Sequence, residues 1–126
     1  MRMTVKLGWG LSGLFGLFML GASVAPKLLG LAVAQDTMAA LGWPDAPLRL
    51  IGGLELACTL LYLFPPTALL GASLMMAILG GAIATNLQAH ADLYGHTLFS
   101  VYLGIVMWGG LVLRNPRIRA VFPFTR

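Results

Sequence analysis

Residues 48–88 read LRLIGGLELACTLLYLFPPTALLGASLMMAILGGAIATNLQ. Two apolar segments, about residues 48–64 and 67–88, are separated only by Pro65 and Pro66. A proline pair offers no backbone donor and breaks a helix, so the chain must reverse there. The two segments are therefore expected as antiparallel helical neighbours. Each approaches the roughly 20 apolar residues that cross a bilayer. The first carries a single acid, Glu55, in the middle of its apolar run. A charge at that depth costs at least about 2.5–3.5 kcal/mol unless it is neutralised, paired or wet. Glu55 is the natural starting point for a functional reading.

Outward from this hairpin, two more apolar segments cover about residues 7–29 and 97–113. The 126-residue chain is 59% hydrophobic and 10% charged, against about 25% charged in a soluble domain. The expected fold is all-α, a four-helix transmembrane bundle forming a single integral-membrane domain over residues 1–126. That leaves no room for a separate soluble catalytic module. The first segment imitates a secretory signal, because Ser23 and Ala25 satisfy the small-x-small rule. Pro26 would follow that cut and disfavours it, so a retained spanning helix is expected. Residues 31–41 are too short and too polar to span. With Gly42 as a C-cap and Trp43-Pro44 as a stop, they read as a short interfacial helix.

The formal net charge of +4 comes from the ends of the chain. Arg2 and Lys6 precede the first span, and Arg114, Arg117, Arg119 and Arg126 follow the last. The positive-inside rule then puts both termini in the cytoplasm of a multi-pass protein of the cell (inner) membrane. The same placement argues for a topology signal and against a nucleic-acid partner. The tail from Arg117 to Phe124 mixes cations with aromatics and is expected along the inner surface, among anionic headgroups. Cys58 is the one cysteine, so no internal disulfide forms and a small buried apolar role is expected. His90, Asp92 and His96 lack helical i, i+4 spacing and read as solvated loop residues, with no metal expected. Met75 and Met76 read as core or lipid contacts. Ser73, Ala77, Gly81 and Thr85 recur every fourth residue, and Gly13, Gly16, Leu20, Ser23 and Lys27 share a face. Both stripes are expected as packing grooves inside the bundle.

Depth along the alternating spans gathers Lys27, Glu55, Thr85, Asn86, His90 and Ser100 into the outer half. The inner half reads as apolar apart from its terminal arginines. A one-sided polar layer suggests a cavity open toward the outer side. Glu55 shares a helix face with Gly52, Thr59 and Tyr62. Two arrangements satisfy it: an ion pair with Lys27, or a protonated carboxyl donating to Asn86 or Thr85. The candidate site is Glu55, Lys27, Asn86, Thr85, Thr59 and Tyr62, with no catalytic residue assigned. A purely structural use, pinning two helices in register, is the competing reading.

Five pieces in this order resemble the DoxX-like proteins, small four-helix membrane proteins. They are GASVAPKL (21–28), LGWP (41–44), IGGLEL (51–56), GASL (71–74) and MAILGGAIATN (76–86). The resemblance runs over about residues 14–116. It implies that Lys27 and Glu55 are recurrent charges. Where many relatives have a histidine near the end of the third helix, this chain has Asn86. The resemblance implies a quinone- or lipid-binding subunit of a membrane oxidoreductase system, not a stand-alone enzyme. A non-enzymatic assembly factor or structural subunit is the alternative, and a small oligomeric transporter a third. The chain carries no intrinsic cofactor motif, so quinone is the candidate cofactor. The expected partners are the lipid bilayer, a redox or other membrane protein, and a second copy in a homodimer.

Overall fold

The computed structural model describes residues 3–90, 95 and 98–122, and among them the chain is helical with no strand. Arg2, Asp92, His96, Thr97, Pro123, Phe124 and Arg126 lie outside the described residues.

Helix α1 (Met3–Phe18) continues through a π-helical turn, Met19–Val24, into α2 (Ala25–Leu28). The π-turn answers to Pro26, which has no N–H and whose ring crowds the carbonyl four residues back. The Ala25 N–H reaches five residues back to the Leu20 carbonyl. α2 then ends on Gly30, whose φ of +67° lies in the left-handed region. The Leu31 N–H bonds the Pro26 carbonyl at 3.0 Å and the Gly30 N–H the Lys27 carbonyl at 3.3 Å, a Schellman closure. α3 (Ala32–Ala40) ends the same way at Gly42, with φ +86°. Here Trp43 bonds the Met38 carbonyl at 2.9 Å and Gly42 that of Ala39 at 3.0 Å. The short helix and glycine stop expected between the first two apolar segments are thus present, and α3 buries none of its residues.

The proline reversal is a 3₁₀ turn, Pro65–Thr67, joining α4 (Leu48–Leu63) to α5 (Ala68–Gln88). The Thr67 hydroxyl closes it by donating to the Leu61 carbonyl at 2.8 Å. α5 packs on α4 and on α6 (Phe99–Arg114), α6 packs on α1, and the π-turn and α2 return to α4. This ring encloses Phe15, Met19, Tyr62, Met75, Met107 and Leu111, with Cys58 at its edge. Met76, next to Met75, is exposed. α7 (Pro116–Val121) starts on an Asn115 cap, whose side-chain oxygen accepts from the Arg117 and Ile118 N–H groups. Arg119 donates to the Val112 and Leu113 carbonyls at 3.2 and 2.7 Å, and Phe122 stacks on Trp108 at 4.4 Å. The described part of the basic tail is therefore docked onto α6.

Two helical runs, Met3–Leu28 with 26 residues and Pro65–Gln88 with 24, are long and apolar enough to cross a membrane by length and composition. Only 33% and 28% of their apolar windows are buried, so their hydrophobic side chains face outward and these are not core helices of the usual kind. α4 and α6 have 16 residues each, about 24 Å of helix against a hydrocarbon core of about 30 Å.

The small-residue stripe on α5 points the other way from its expected place. Ser73, Ala77 and Gly81 are exposed, and a Cβ added at Gly81 would meet nothing within 4 Å. The packed face of α5 is instead Ala68, Gly71, Ala72, Met75 and Leu79. At Gly71 an added Cβ would overlap the Tyr62 backbone nitrogen and lie 2.7 Å from the Leu61 carbonyl carbon. On α1 the expected groove is half realised: Gly16 packs on Leu63, whereas a Cβ at Gly13 would meet nothing. Gly71→Ala is predicted to cost about 1–3 kcal/mol of stability, by analogy with overpacked cores. Gly80→Ala, in open space, should leave stability unchanged. Unfolding of the two variants in detergent micelles distinguishes them.

Candidate functional site

Ser23 and Lys27 lie one turn apart, on the π-turn and α2, and both face α4. The Lys27 ammonium donates to both oxygens of Glu55, at 3.0 and 3.1 Å, and to the Ser23 hydroxyl oxygen at 2.9 Å. The Ser23 hydroxyl in turn donates to Glu55 Oε1 at 2.8 Å. The ammonium has three protons, and each has an acceptor inside this cluster. Glu55 is only 6% exposed. Gly52, one turn from Glu55, makes the approach possible, because a Cβ there would lie 2.9 Å from the Lys27 Cβ. Of the two arrangements open to Glu55, the chain adopts the ion pair.

The remaining candidates are placed differently. Thr59 is buried and donates to the backbone carbonyl of Glu55 at 2.8 Å, not to its carboxylate. Thr85 donates to the Gly81 carbonyl at 2.9 Å and Asn86 to that of Ala82 at 2.7 Å. Asn86 nevertheless lines the same cleft as the ion pair. Tyr62 belongs elsewhere. It is seven residues beyond Glu55 on the same face, about 10 Å further along the helix. Its hydroxyl lies 2.9 Å from the Ser12 oxygen and donates to the Met107 carbonyl at 2.6 Å.

That second cluster gathers Ser12, Tyr62 and Arg114 at the end expected to be apolar apart from its terminal arginines. Arg114 is 7% exposed. Its guanidinium stacks between Trp9, at 4.2 Å, and Tyr62, at 4.7 Å, and donates to the Tyr62 carbonyl. Stacking on two rings offsets part of the cost of burying a cation. Nη1 of Arg114 is enclosed and finds no hydrogen-bond partner among the described residues. An arginine ending the last apolar segment reads as a topology signal, which is why its burial is invisible in the sequence.

Beside the ion pair is a cleft of about 590 Å³, walled by Phe18, Met19, Leu79, Phe99 and Leu103 and reached by Ser23, Lys27, Glu55, Asn86 and Ser100. Phe18 and Phe99 meet edge-on at 5.4 Å. A second hollow of about 290 Å³ lies between α4 and α5, next to Met38 and Trp43. Lys27, Glu55 and Asn86 border both hollows. His90, expected as a solvated loop residue, is exposed with φ +56°.

A model of the DoxX-like family matches residues 10–110. The chain belongs to the DoxX-like family. No curated protein and no solved structure matches it. Family membership makes it a membrane protein. The matched region of this DoxX-like protein contains Ser23, Lys27, Glu55, Asn86 and Ser100, and stops short of both Trp9 and Arg114.

Lys27→Met would leave Glu55 buried without its partner, and a loss of about 3–5 kcal/mol is predicted on the precedent of broken buried pairs. Adding Glu55→Leu should recover most of that loss, since no unpaired charge then remains. Unfolding of the single and double variants in the same detergent gives the coupling directly.

Proposed function

We propose that this DoxX-like protein binds an amphipathic, lipid-soluble ligand in the cleft beside Lys27 and Glu55. It does so as a subunit of a membrane oxidoreductase system, with quinone as the ligand class. In this reading the four long helical segments form a transmembrane bundle in the cell (inner) membrane, with both termini cytoplasmic and α3 at the interface. The short α4 and α6 are accommodated by local thinning of the bilayer.

The observation that carries the reading is the cleft itself: apolar walls over about 590 Å³ that open onto a partly buried ion pair. Ligand sites have this form, a hydrophobic lining with a few converging polar groups. The residues present fit a quinone. Phe18, Phe99, Leu79 and Leu103 suit a flat ring and an apolar tail. Asn86, with one amide N–H left over, is a donor for a ring oxygen, and Glu55 is an acceptor. A bound quinone supplies reversible electron and proton uptake. The chain's part is to orient the ring, exclude water and hold a proton at the Glu55 carboxylate, while a partner redox protein exchanges the electrons.

One observation favours a second reading. All three ammonium protons of Lys27 are used within the cluster. The ion pair then serves as a pin between the first helical run and α4, in a structural subunit or assembly factor. Native mass spectrometry of the protein in mild detergent, with extracted lipids identified, separates the two. A stoichiometric isoprenoid quinone that disappears on Glu55→Gln is the expected result. Loss of stability on Glu55→Gln, with no co-purifying ligand in either form, would support the pin.

A further inference from the structure

Five polar or charged residues are buried in the described structure: Ser12, Glu55, Thr59, Ser100 and Arg114. Four of them have hydrogen-bond partners. Ser100, at 8% exposure, has none among the described residues. Ser100 is the second residue of α6, whereas Ser73 and Thr85, inside α5, turn their hydroxyls onto backbone carbonyls four residues back. The hydroxyl of Ser100 is not sealed in protein, because the enclosed polar atom left over among the described residues is Arg114 Nη1. Ser100 lines the cleft beside Lys27 and Glu55.

Asn86 lines the same cleft from α5. It commits one amide N–H to the Ala82 carbonyl and keeps its other N–H and its oxygen for the space in front of it. The charges on the facing wall cancel: one ammonium, one carboxylate, bonded to each other. An anionic headgroup would enter beside the Glu55 carboxylate and find Lys27, the one cation lining the cleft among the described residues, already committed, at a high desolvation cost. An uncharged head with a hydrogen-bonding oxygen has no such penalty.

We infer that Ser100, seconded by Asn86, is the head-group recognition residue of the cleft, and that the ligand it selects has an uncharged polar head on an apolar tail. This rests on the ligand-binding reading above and names which wall of the cleft reads the head. Lys27 and Glu55 define the neutral opposite wall.

The test uses the full chain in nanodiscs, titrated with decylubiquinone and followed by tryptophan fluorescence, with thermal unfolding measured in parallel. Ser100→Ala should bind about five- to tenfold more weakly, the worth of one hydrogen bond, with an unchanged unfolding temperature, since the hydroxyl has no partner to lose. Ser100→Thr, which keeps the hydroxyl, should restore binding. Equal affinity of Ser100→Ala and the parent overturns the inference while leaving the ligand site standing. Displacement of decylubiquinone by phosphatidylglycerol or oleate at equal concentration overturns the uncharged-head assignment. If the parent chain does not bind decylubiquinone, both the inference and the proposed function fall.

Discussion

The bond from the Lys27 ammonium to both oxygens of Glu55 is the constraint around which the Lys27 end of the molecule is arranged. It explains features that otherwise look unrelated. The π-turn at Met19–Val24 relieves the crowding at Pro26 and sets the angle from which Ser23 and Lys27 meet α4. Gly52 removes the one side chain that would block Lys27. The Schellman closure at Gly30 stops α2 directly after Lys27. The π-turn and Gly52 would each be a local weakness in an isolated helix. Together they bring an ion pair into a largely apolar setting with nearly every polar atom satisfied, the condition under which such a pair is tolerable.

Among the described residues the molecule holds two buried polar layers with different characters. Around Glu55 the charges are matched, and a cleft opens beside them. Around Arg114 a cation is held by two aromatic faces and a backbone carbonyl. The first layer lies within the matched family region and borders the cleft of about 590 Å³; the second lies partly outside that region. The second reads as a clasp joining α1, α4 and α6, because Ser12, Tyr62 and Arg114 come from those three helices. The close approach of Gly8 to the Arg114 backbone belongs to the same clasp.

Much of the helical order was legible in the chain because its punctuation is chemical. Pro65-Pro66 dictates the hairpin, and Gly42 with Trp43 dictates the end of α3. Glu55 and Lys27 stood out as charges in apolar runs, and the structure brings them together. What lay hidden depends on rotation and on competition for the same donor. Ser23 matched a cleavage rule and a small-residue face, so its hydroxyl drew no notice, although it lies i, i+4 to Lys27. Tyr62 shares the Glu55 face but sits two turns deeper. Thr59 and Thr85 spend their hydroxyls on their own helices, and Asn86 spends one amide N–H in the same way. The stripe at Ser73, Ala77 and Gly81 has the spacing of a packing groove, but spacing cannot say which face of a helix that is apolar all round turns inward.

The central claim is that the cleft beside the ion pair receives a lipid-soluble ligand from the bilayer. The most direct measurement is photo-crosslinking in native membranes with a photoreactive, uncharged isoprenoid quinone, the labelled residues being mapped by mass spectrometry. The account predicts labelling concentrated on Leu79, Ala82 and Leu103, which line the cleft, and abolished by excess unlabelled quinone. Labelling spread over the outward-facing Leu17, Leu69 and Leu70, indifferent to competitor, would contradict it.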